Sequence, residues 1–317
     1  MFLYFPFLYE KRCPHCGKNR VVRFGGRRRK CSDCDRTFSV QKAGRKSVSE
    51  FPDMYLKDRS TLRRIGQKES CSQVTVMKHI HEALEDLEYV HRGWTTGFLV
   101  LDGKALSIGG RDTCEHLVLD ADGTLLARSL EMGKESAAVF GCMIDQLKAD
   151  GLNISAVTTD GLPGLQREMK KLHLIHQRCH VHLLRDLRVG LQLTVRHRYK
   201  RQAPSNRQKR VLYRYAHLLL QSSPKTFRLR LEHVTRCLSL NLFCINPIQL
   251  QALRRFLHTA QIHGFWHFHD ERIPATTNAV ENYISRFNAR LKTMRGMKKF
   301  ENADRILTGL HLNLNWT

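Results

Sequence analysis

Phe98-Leu99-Val100-Leu101-Asp102 is an unbroken apolar run that ends in an acid and is followed by Gly103-Lys104. So short a run between glycines fits a buried strand rather than a helix. The pattern returns in Ile154-Ser155-Ala156-Val157-Thr158-Thr159-Asp160-Gly161, a second buried strand that also closes on an acid. Between them, His116-Leu117-Val118-Leu119-Asp120 runs into the turn Ala121-Asp122-Gly123, and Thr124-Leu125-Leu126-Ala127-Arg128 returns. These segments predict a three-strand meander. From Ser136 to Ala149, apolar residues at Val139, Phe140, Met143, Ile144 and Leu147 space as a helix closed by Gly151. Leu172-His173-Leu174-Ile175-His176 reads as a fifth strand.

Three strands, a helix, a strand, a helix and a strand is the order of a ribonuclease-H-like fold. In that fold the first and fourth strands lie side by side and parallel, so Asp102 and Asp160 are expected at neighbouring strand ends. A strand-end Asp taken alone often only caps a turn. A third acid, Glu281, follows the punctuation Pro274-Ala275-Thr276-Thr277-Asn278. Thr276, Thr277 or Asn278 is expected to cap a helix running to about Met297, with Glu281 in its first turn. Phosphoryl transfer on DNA uses two divalent ions, one at the attacking oxygen and one at the leaving oxygen. Magnesium demands hard oxygen ligands, with manganese able to substitute, so a carboxylate trio suits it. Glu135 and Asp145 read instead as helix-surface acids, and Asp120 and Asp122 as turn residues.

The flanks carry charge of the opposite sign. The 317 residues hold 53 Lys+Arg against 29 Asp+Glu, a formal charge of +24. Residues 10–46 have thirteen Lys/Arg and three acids, and residues 183–272 have seventeen and four. Residues 98–160 have five and ten. An acidic centre between basic arms points to cations in the middle and phosphates outside, so double-stranded DNA is the expected partner. Ten cysteines without a disulfide-like framework suit a reducing cytoplasm, and on DNA a nucleoid-associated protein. Met1 to Tyr9 is apolar but too short to span a bilayer; it reads as a packing strand or a misplaced start, and no membrane role is expected.

Cys13-Pro14-His15-Cys16 and Cys31-Ser32-Asp33-Cys34 have the spacing of a zinc ribbon, with one structural Zn2+ between two knuckles. Arg27, Arg28 and Arg29 lie on the ribbon, where phosphates are within reach. Within residues 47–92, Leu62, Ile65, Val74, Val76, Met77 and Ile80 space like the inner face of a helix-turn-helix, with Lys68 to Ser72 as its turn. Ser72 is the expected N-cap of a recognition helix presenting Gln73, Thr75 and Lys78. Residues 183–272 read as helical and basic.

Leu99-Val100-Leu101-Asp102-Gly103-Lys104 resembles the first-Asp strand of the Mutator-like bacterial insertion-sequence transposases, and Val157-Thr158-Thr159-Asp160-Gly161 resembles their second. Arg178-Cys179-His180-Val181-His182 resembles the Cys-x-x-His element that follows. Thr277-Asn278-Ala279-Val280-Glu281-Asn282, with the basic helix Ser285 to Lys292, resembles the block around the catalytic Glu. The likeness spans residues 97–317, and the ribbon head resembles a variant group of that superfamily. It implies a DDE-type transposase with Asp102, Asp160 and Glu281 as its triad, Cys179 and His182 as a structural motif, and Arg286 and Arg290 facing DNA. The expected layout is an α/β multidomain chain: ribbon 1–46, helix-turn-helix 47–96, a ribonuclease-H-like domain in two parts, 97–182 and 273–317, and an all-helical insertion 183–272. Two element ends must meet, so a homodimer or larger assembly on DNA is expected. A second zinc on Cys179, His182, His263 and His267 is a chemical alternative to packing, as is stacking of Trp266 on an unpaired base. The rival readings are a non-enzymatic regulator and a nuclease of the same fold that cuts without joining.

Overall fold

The computed structural model describes residues 13–315 apart from 14, 25–27, 40–49, 59, 86, 194–203, 241–242, 244 and 293–296. Met1 to Tyr9 and Arg27 thus lie outside the described residues. The first unit is a small antiparallel sheet of β1 (Val21–Arg23), β2 (Arg28–Cys31) and β3 (Thr37–Ser39), in that order. The β1–β2 hairpin of the expected ribbon is present, and β3 adds a third strand to it. So few residues bury little apolar surface. What they enclose is sulfur: Cys13 and Cys31 are buried, and the thiols of Cys13, Cys16, Cys31 and Cys34 all lie within 4.8 Å of one another. The Cys13–Cys34 and Cys16–Cys31 Sγ separations are both 3.6 Å. A tetrahedral zinc with Zn–S bonds of about 2.3 Å requires sulfur edges of about 3.8 Å, so the four thiols fit that ion.

Three helices follow: α1 (Phe51–Leu56), α2 (Leu62–Glu69) and α3 (Gln73–Ala83). Ser72 caps α3 as expected, accepting a hydrogen bond from Thr75 N. The turn is shorter than the sequence suggests, because α2 continues through Glu69 and ends at Ser70, whose φ of +54° is left-handed. Ile65, Val76 and Ile80 are fully buried, but Val74 is 78% exposed, so its expected place on the inner face is corrected. At the second position of α3, Val74 points away from the face defined by Val76 and Ile80.

The central sheet has five strands: β4 (Phe98–Ile108), β5 (Arg111–Asp120), β6 (Leu125–Met132), β7 (Ala156–Thr159) and β8 (Ile175–Arg178). Their order is β6-β5-β4-β7-β8, with the β4–β5 and β5–β6 pairs antiparallel and the β4–β7 and β7–β8 pairs parallel. The meander, and the parallel neighbours expected from sequence, are therefore both present. β8 starts three residues later than expected, because α5 (Leu165–Lys171) is capped at Leu172 and His173 turns with φ +55°. One face of the sheet packs on α4 (Ala137–Ala149) and α5 through Leu99, Leu101, Phe140, Ile144 and Met169. The other face receives the first three helices, α10 (Asn278–Leu291) and α11 (Phe300–Asn315). Helix α10 ends at Leu291, short of the expected Met297.

Between β8 and α10 stand α6 (His180–Gly190), α7 (Pro204–Leu220), α8 (Pro224–Ser239) and α9 (Pro247–His263). They share a core of Leu183, Leu187, Leu212, Leu219, Leu253 and Phe256. The described residues of 183–272 are mainly helical. Among the described residues, no helix is long and apolar enough to cross a membrane.

A buried polar spine locks α10 and α11 to the sheet. Glu115, fully buried on β5, accepts from Arg128 Nε at 2.9 Å and lies 2.8 Å from His311 Nε2. His311 Nδ1 in turn meets Tyr283 Oη at 2.8 Å. Removing Arg128 takes from the buried Glu115 its ion-pair partner, at a cost of about 3–5 kcal/mol.

The thiol geometry yields the first expected outcome. Purified protein carries about one zinc per chain, and Cys13→Ser with Cys31→Ser releases it while most of the helical circular-dichroism signal stays. Elemental analysis finding no zinc in the unmodified protein would contradict the assignment.

Candidate active site

The site begins with strand register. β4 and β7 pair in parallel with Phe98 beside Ala156, Leu99 beside Val157, Val100 beside Thr158 and Leu101 beside Thr159. One step further along both strands stand Asp102 and Asp160. Both side chains are half-buried, while the strand residues behind them are wholly buried. The register is fixed by that burial: a slip of one residue would turn Leu99, Leu101 and Val157 to the opposite face.

Backbone donors hold the two carboxylates. Asp102 Oδ1 accepts from Gly103 N at 2.8 Å, and Asp160 Oδ1 accepts from Leu162 N at 3.1 Å. Arg178, the last residue of β8, donates from Nη2 to the Asp160 carbonyl at 3.0 Å. Gly161, with φ +103°, leaves the space this guanidinium occupies; a Cβ there would overlap it.

Glu281 reaches the same region from α10, in whose first turn it sits, exposed and near the positive end of the helix dipole. Its Oε1 accepts from Thr277 Oγ1 at 3.2 Å. Its charge is felt at Asp102, where burial and then the Asp160 charge push the carboxyl up to about 6, Glu281 adding a smaller push. The Gly103 N–H and His182 act in the opposite sense.

A further acid stands here that the sequence reading put on a helix surface. Glu135 precedes the N-cap Ser136 of α4 and folds back over Gly103, where an added Cβ would come within 2.5 Å of its carboxyl carbon. Burial, then Asp160 and then Asp102 push Glu135 up to about 7. Glu135 lies in the connection between β6 and α4, and tertiary packing brings it over β4 at Gly103, a non-local fact that periodicity does not carry. The only local hint was Gly103 itself, which leaves room for a close neighbour. Asp120, by contrast, is a structural acid: it accepts from Thr96 N and Ala121 N and pairs with Arg92.

The carboxylates do not converge on one point. Among the described residues, only the four N-terminal thiols have ligand atoms all within 4.8 Å of one another. A spread set of hard oxygen donors, two of them held above their ordinary pKa by burial and repulsion, fits divalent cations better than a thiol-type metal.

The remaining predicted residues divide. Gln73, Thr75 and Lys78 are exposed on α3, Lys78 lying 3.5 Å from Glu82. Arg28 is exposed and Arg29 half-buried on β2. Arg286 is exposed over the Tyr283 ring. Arg290 donates to the carbonyls of Leu56 (3.3 Å) and Lys57 (2.7 Å) at the end of α1, so its guanidinium ties helices together. The four groups of the alternative zinc site are apart in kind: Cys179 and His182 face Thr277, His263 Nδ1 meets the His176 carbonyl at 3.2 Å, and His267 packs against His180. Trp266 is half-buried against Phe98, Ala156 and Ile273.

Residues 63–219 match the family described as "Transposase, Mutator family", a segment holding Asp102, Asp160, Cys179 and His182. This segment, just under half of the chain, is of the Mutator transposase type. The match ends before Glu281 and begins after the four thiols. No curated protein matches. A chain in the cryo-EM structure of a simian T-cell lymphotropic virus intasome in complex with PP2A regulatory subunit B56 gamma is 12% identical, covering 67% of this chain and 68% of its own. Its TM-score is 0.23, at which a superposition assigns neither fold nor activity.

Asp102 and Glu135 give the site a pH signature. Both carboxyls titrate above their ordinary values of 3.8 and 4.5, so the metal-free fold binds protons more tightly than the unfolded chain does. Their contribution is fully present below the ordinary values and is lost as pH rises through about 6 to about 7. Asp160→Asn removes the largest charge acting on Glu135, so the Glu135 carboxyl midpoint, followed by carbon-13 NMR, falls from about 7 toward 4.5. An unmoved midpoint would show that these acids do not share a field.

Proposed function

We propose that this chain is a DNA transposase of the zinc-ribbon, bacterial insertion-sequence type, acting through Asp102, Asp160 and Glu281 as a DDE triad. The observation that carries this reading is the strand register that sets Asp102 beside Asp160 within the Mutator-family segment. The sheet order β6-β5-β4-β7-β8, with only its last two pairings parallel, supports a ribonuclease-H-like catalytic domain. By this reading that domain is formed by 97–182 and 273–317 and interrupted by the helices of 183–272.

Asp102, Asp160 and Glu281 would hold two Mg2+, or Mn2+ in their place, which supply activation of the attacking oxygen and charge neutralisation at the leaving oxygen. The protein's own part is placement. The Gly103 and Leu162 amides orient the two aspartates, and the β4–β7 pairing fixes their separation. In cleavage, a water oxygen bonds to phosphorus, the P–O3′ bond breaks, and the leaving 3′ oxygen takes up a proton. In joining, that 3′-OH attacks a target phosphate and a target 3′ oxygen departs with a proton. Bond number is conserved in the second step, so one site serves both directions of chemistry.

Double-stranded DNA, as element end and as target, is the proposed partner. Arg28 and Arg29 on β2, with Arg27 preceding them in the sequence, are the proposed phosphate contacts, and α2 and α3 act as a helix-turn-helix with Gln73, Thr75 and Lys78 reading bases. The cap at Ser72 and the exposure of those three side chains support that use. Arg286 extends the basic surface beside Glu281, whereas Arg290 contributes through helix packing. Two ends must be joined together, so a homodimer or larger complex forms on nucleoid DNA.

Asp102→Asn, Asp160→Asn and Glu281→Gln each keep shape and remove charge. Each is expected to leave melting temperature and end binding near those of the parent while cutting nicking and strand transfer by at least about a thousandfold, with doubles no worse than singles. Asp145→Asn serves as the control. A Glu281→Gln protein that still joins a labelled 3′-OH end to target DNA would remove Glu281 from the triad. Retained nicking without joining in the parent would favour a nuclease, and DNA binding without either a regulator.

A further inference from the structure

Thr277 is the N-cap residue of α10, yet its hydroxyl makes no capping hydrogen bond. A threonine in that place ordinarily accepts from a backbone N–H of the first turn. Here the side chain is fully buried and turned toward other groups. Its Oγ1 lies 3.3 Å from Cys179 Sγ, 3.4 Å from His182 Nδ1 and 3.2 Å from Glu281 Oε1, and its backbone N–H donates to Cys179 Sγ at 3.3 Å. Cys179 is fully buried and His182 nearly so.

We propose that Thr277, Cys179 and His182 form a buried clasp whose function is to position the Glu281 carboxylate against Asp102 and Asp160. The inference rests on the triad reading above. It assigns a role to the Cys-x-x-His element other than zinc binding.

Hydrogen counting gives the clasp a direction. A hydroxyl has one proton to donate and two lone pairs to accept with. The Glu281 carboxyl oxygen is a stronger acceptor than a thiol sulfur, so the Thr277 proton goes to Oε1. The Thr277 oxygen then accepts from His182 Nδ1–H, and Cys179 Sγ is left to receive the Thr277 backbone N–H. Thr277 and Glu281 are four residues apart on one helix, which puts both on the same face.

The clasp also connects Glu281 to the strand that bears Asp160. Cys179 N donates to Thr159 O at 2.9 Å, the residue just before Asp160. Two more bonds tie the approach segment to β7 and to the start of α6: Thr158 Oγ1 donates to Pro274 O at 2.6 Å, and His180 N donates to Ala275 O at 3.0 Å. A helix entering nearly a hundred residues after β8 is thereby indexed to the sheet residue by residue. His182 acts on the acids as well, favouring the ionised forms of both Asp102 and Glu135.

The test separates the hydroxyl from the shape of the side chain. Thr277→Val is isosteric and lacks the hydroxyl; Thr277→Ser keeps it. Mn2+ binding to the DNA-free protein is followed by electron paramagnetic resonance, beside nicking rate at saturating DNA, KM for the DNA and melting temperature. Thr277→Val is expected to weaken Mn2+ binding and slow nicking by about 10-fold, with KM unchanged, and Thr277→Ser to recover both. In a Glu281→Gln background, Thr277→Val is expected to weaken Mn2+ binding no further. Parent-like Mn2+ binding and nicking in Thr277→Val, or a Thr277→Ser as impaired as the valine variant, would overturn the clasp. If Glu281→Gln itself leaves Mn2+ binding unchanged, the triad reading fails instead. Should the valine variant not fold, His182→Gln takes its place with the same outcomes.

Discussion

Parallel pairing of β4 with β7 is the constraint on which the rest of the molecule depends. Two strands far apart in sequence are held in one register because Leu99, Leu101 and Val157 must all face the core beneath α4 and α5. Asp102, within β4, and Asp160, just past β7, have no such preference; the apolar residues behind them set the two side by side. Their proximity has an electrostatic cost, visible in the upward push on Asp102 and Glu135. Under the proposed reading, bound cations would offset that cost, as a metal-dependent phosphoryl-transfer site requires.

The other face of the sheet explains how a late helix is brought to the same spot. The Glu115–His311–Tyr283 chain and Arg128 join β5 and β6 to α10 and α11 through buried, hydrogen-bonded groups. Apolar packing alone would allow α10 to slide along the sheet. Directional bonds at its middle (Tyr283) and its start (Thr277) do not. The helices of α6 to α9 have their own core and so lengthen the connection without disturbing the sheet.

Much of this was legible in the sequence wherever the determinant was local. An apolar run ending in Asp announced β4 and β7, four thiols at doubled CxxC spacing announced the metal knuckle, and Ser72 announced the start of α3. Strand ends were less legible: β4 continues through polar Lys104 and Ser107 to Ile108, because pairing with β5 across the Gly109-Gly110 turn sustains it. Glu135 was misread since its surroundings come from a loop folding over Gly103, and Val74 since, two residues before Val76 on a helix, it points about 200° away from that buried side chain. Arg290 shows the same limit, its charge being directed to the carbonyls of α1 by tertiary packing.

The central claim is that Asp102, Asp160 and Glu281 jointly hold divalent ions. Anomalous diffraction from crystals soaked in Mn2+ tests it without any assay of activity. The account predicts manganese peaks in contact with the carboxylates of Asp102 and Asp160, one of them shared with Glu281, and none of this density in crystals of Asp102→Asn. Manganese bound elsewhere, with the space between Asp102 and Asp160 holding only water, would contradict it.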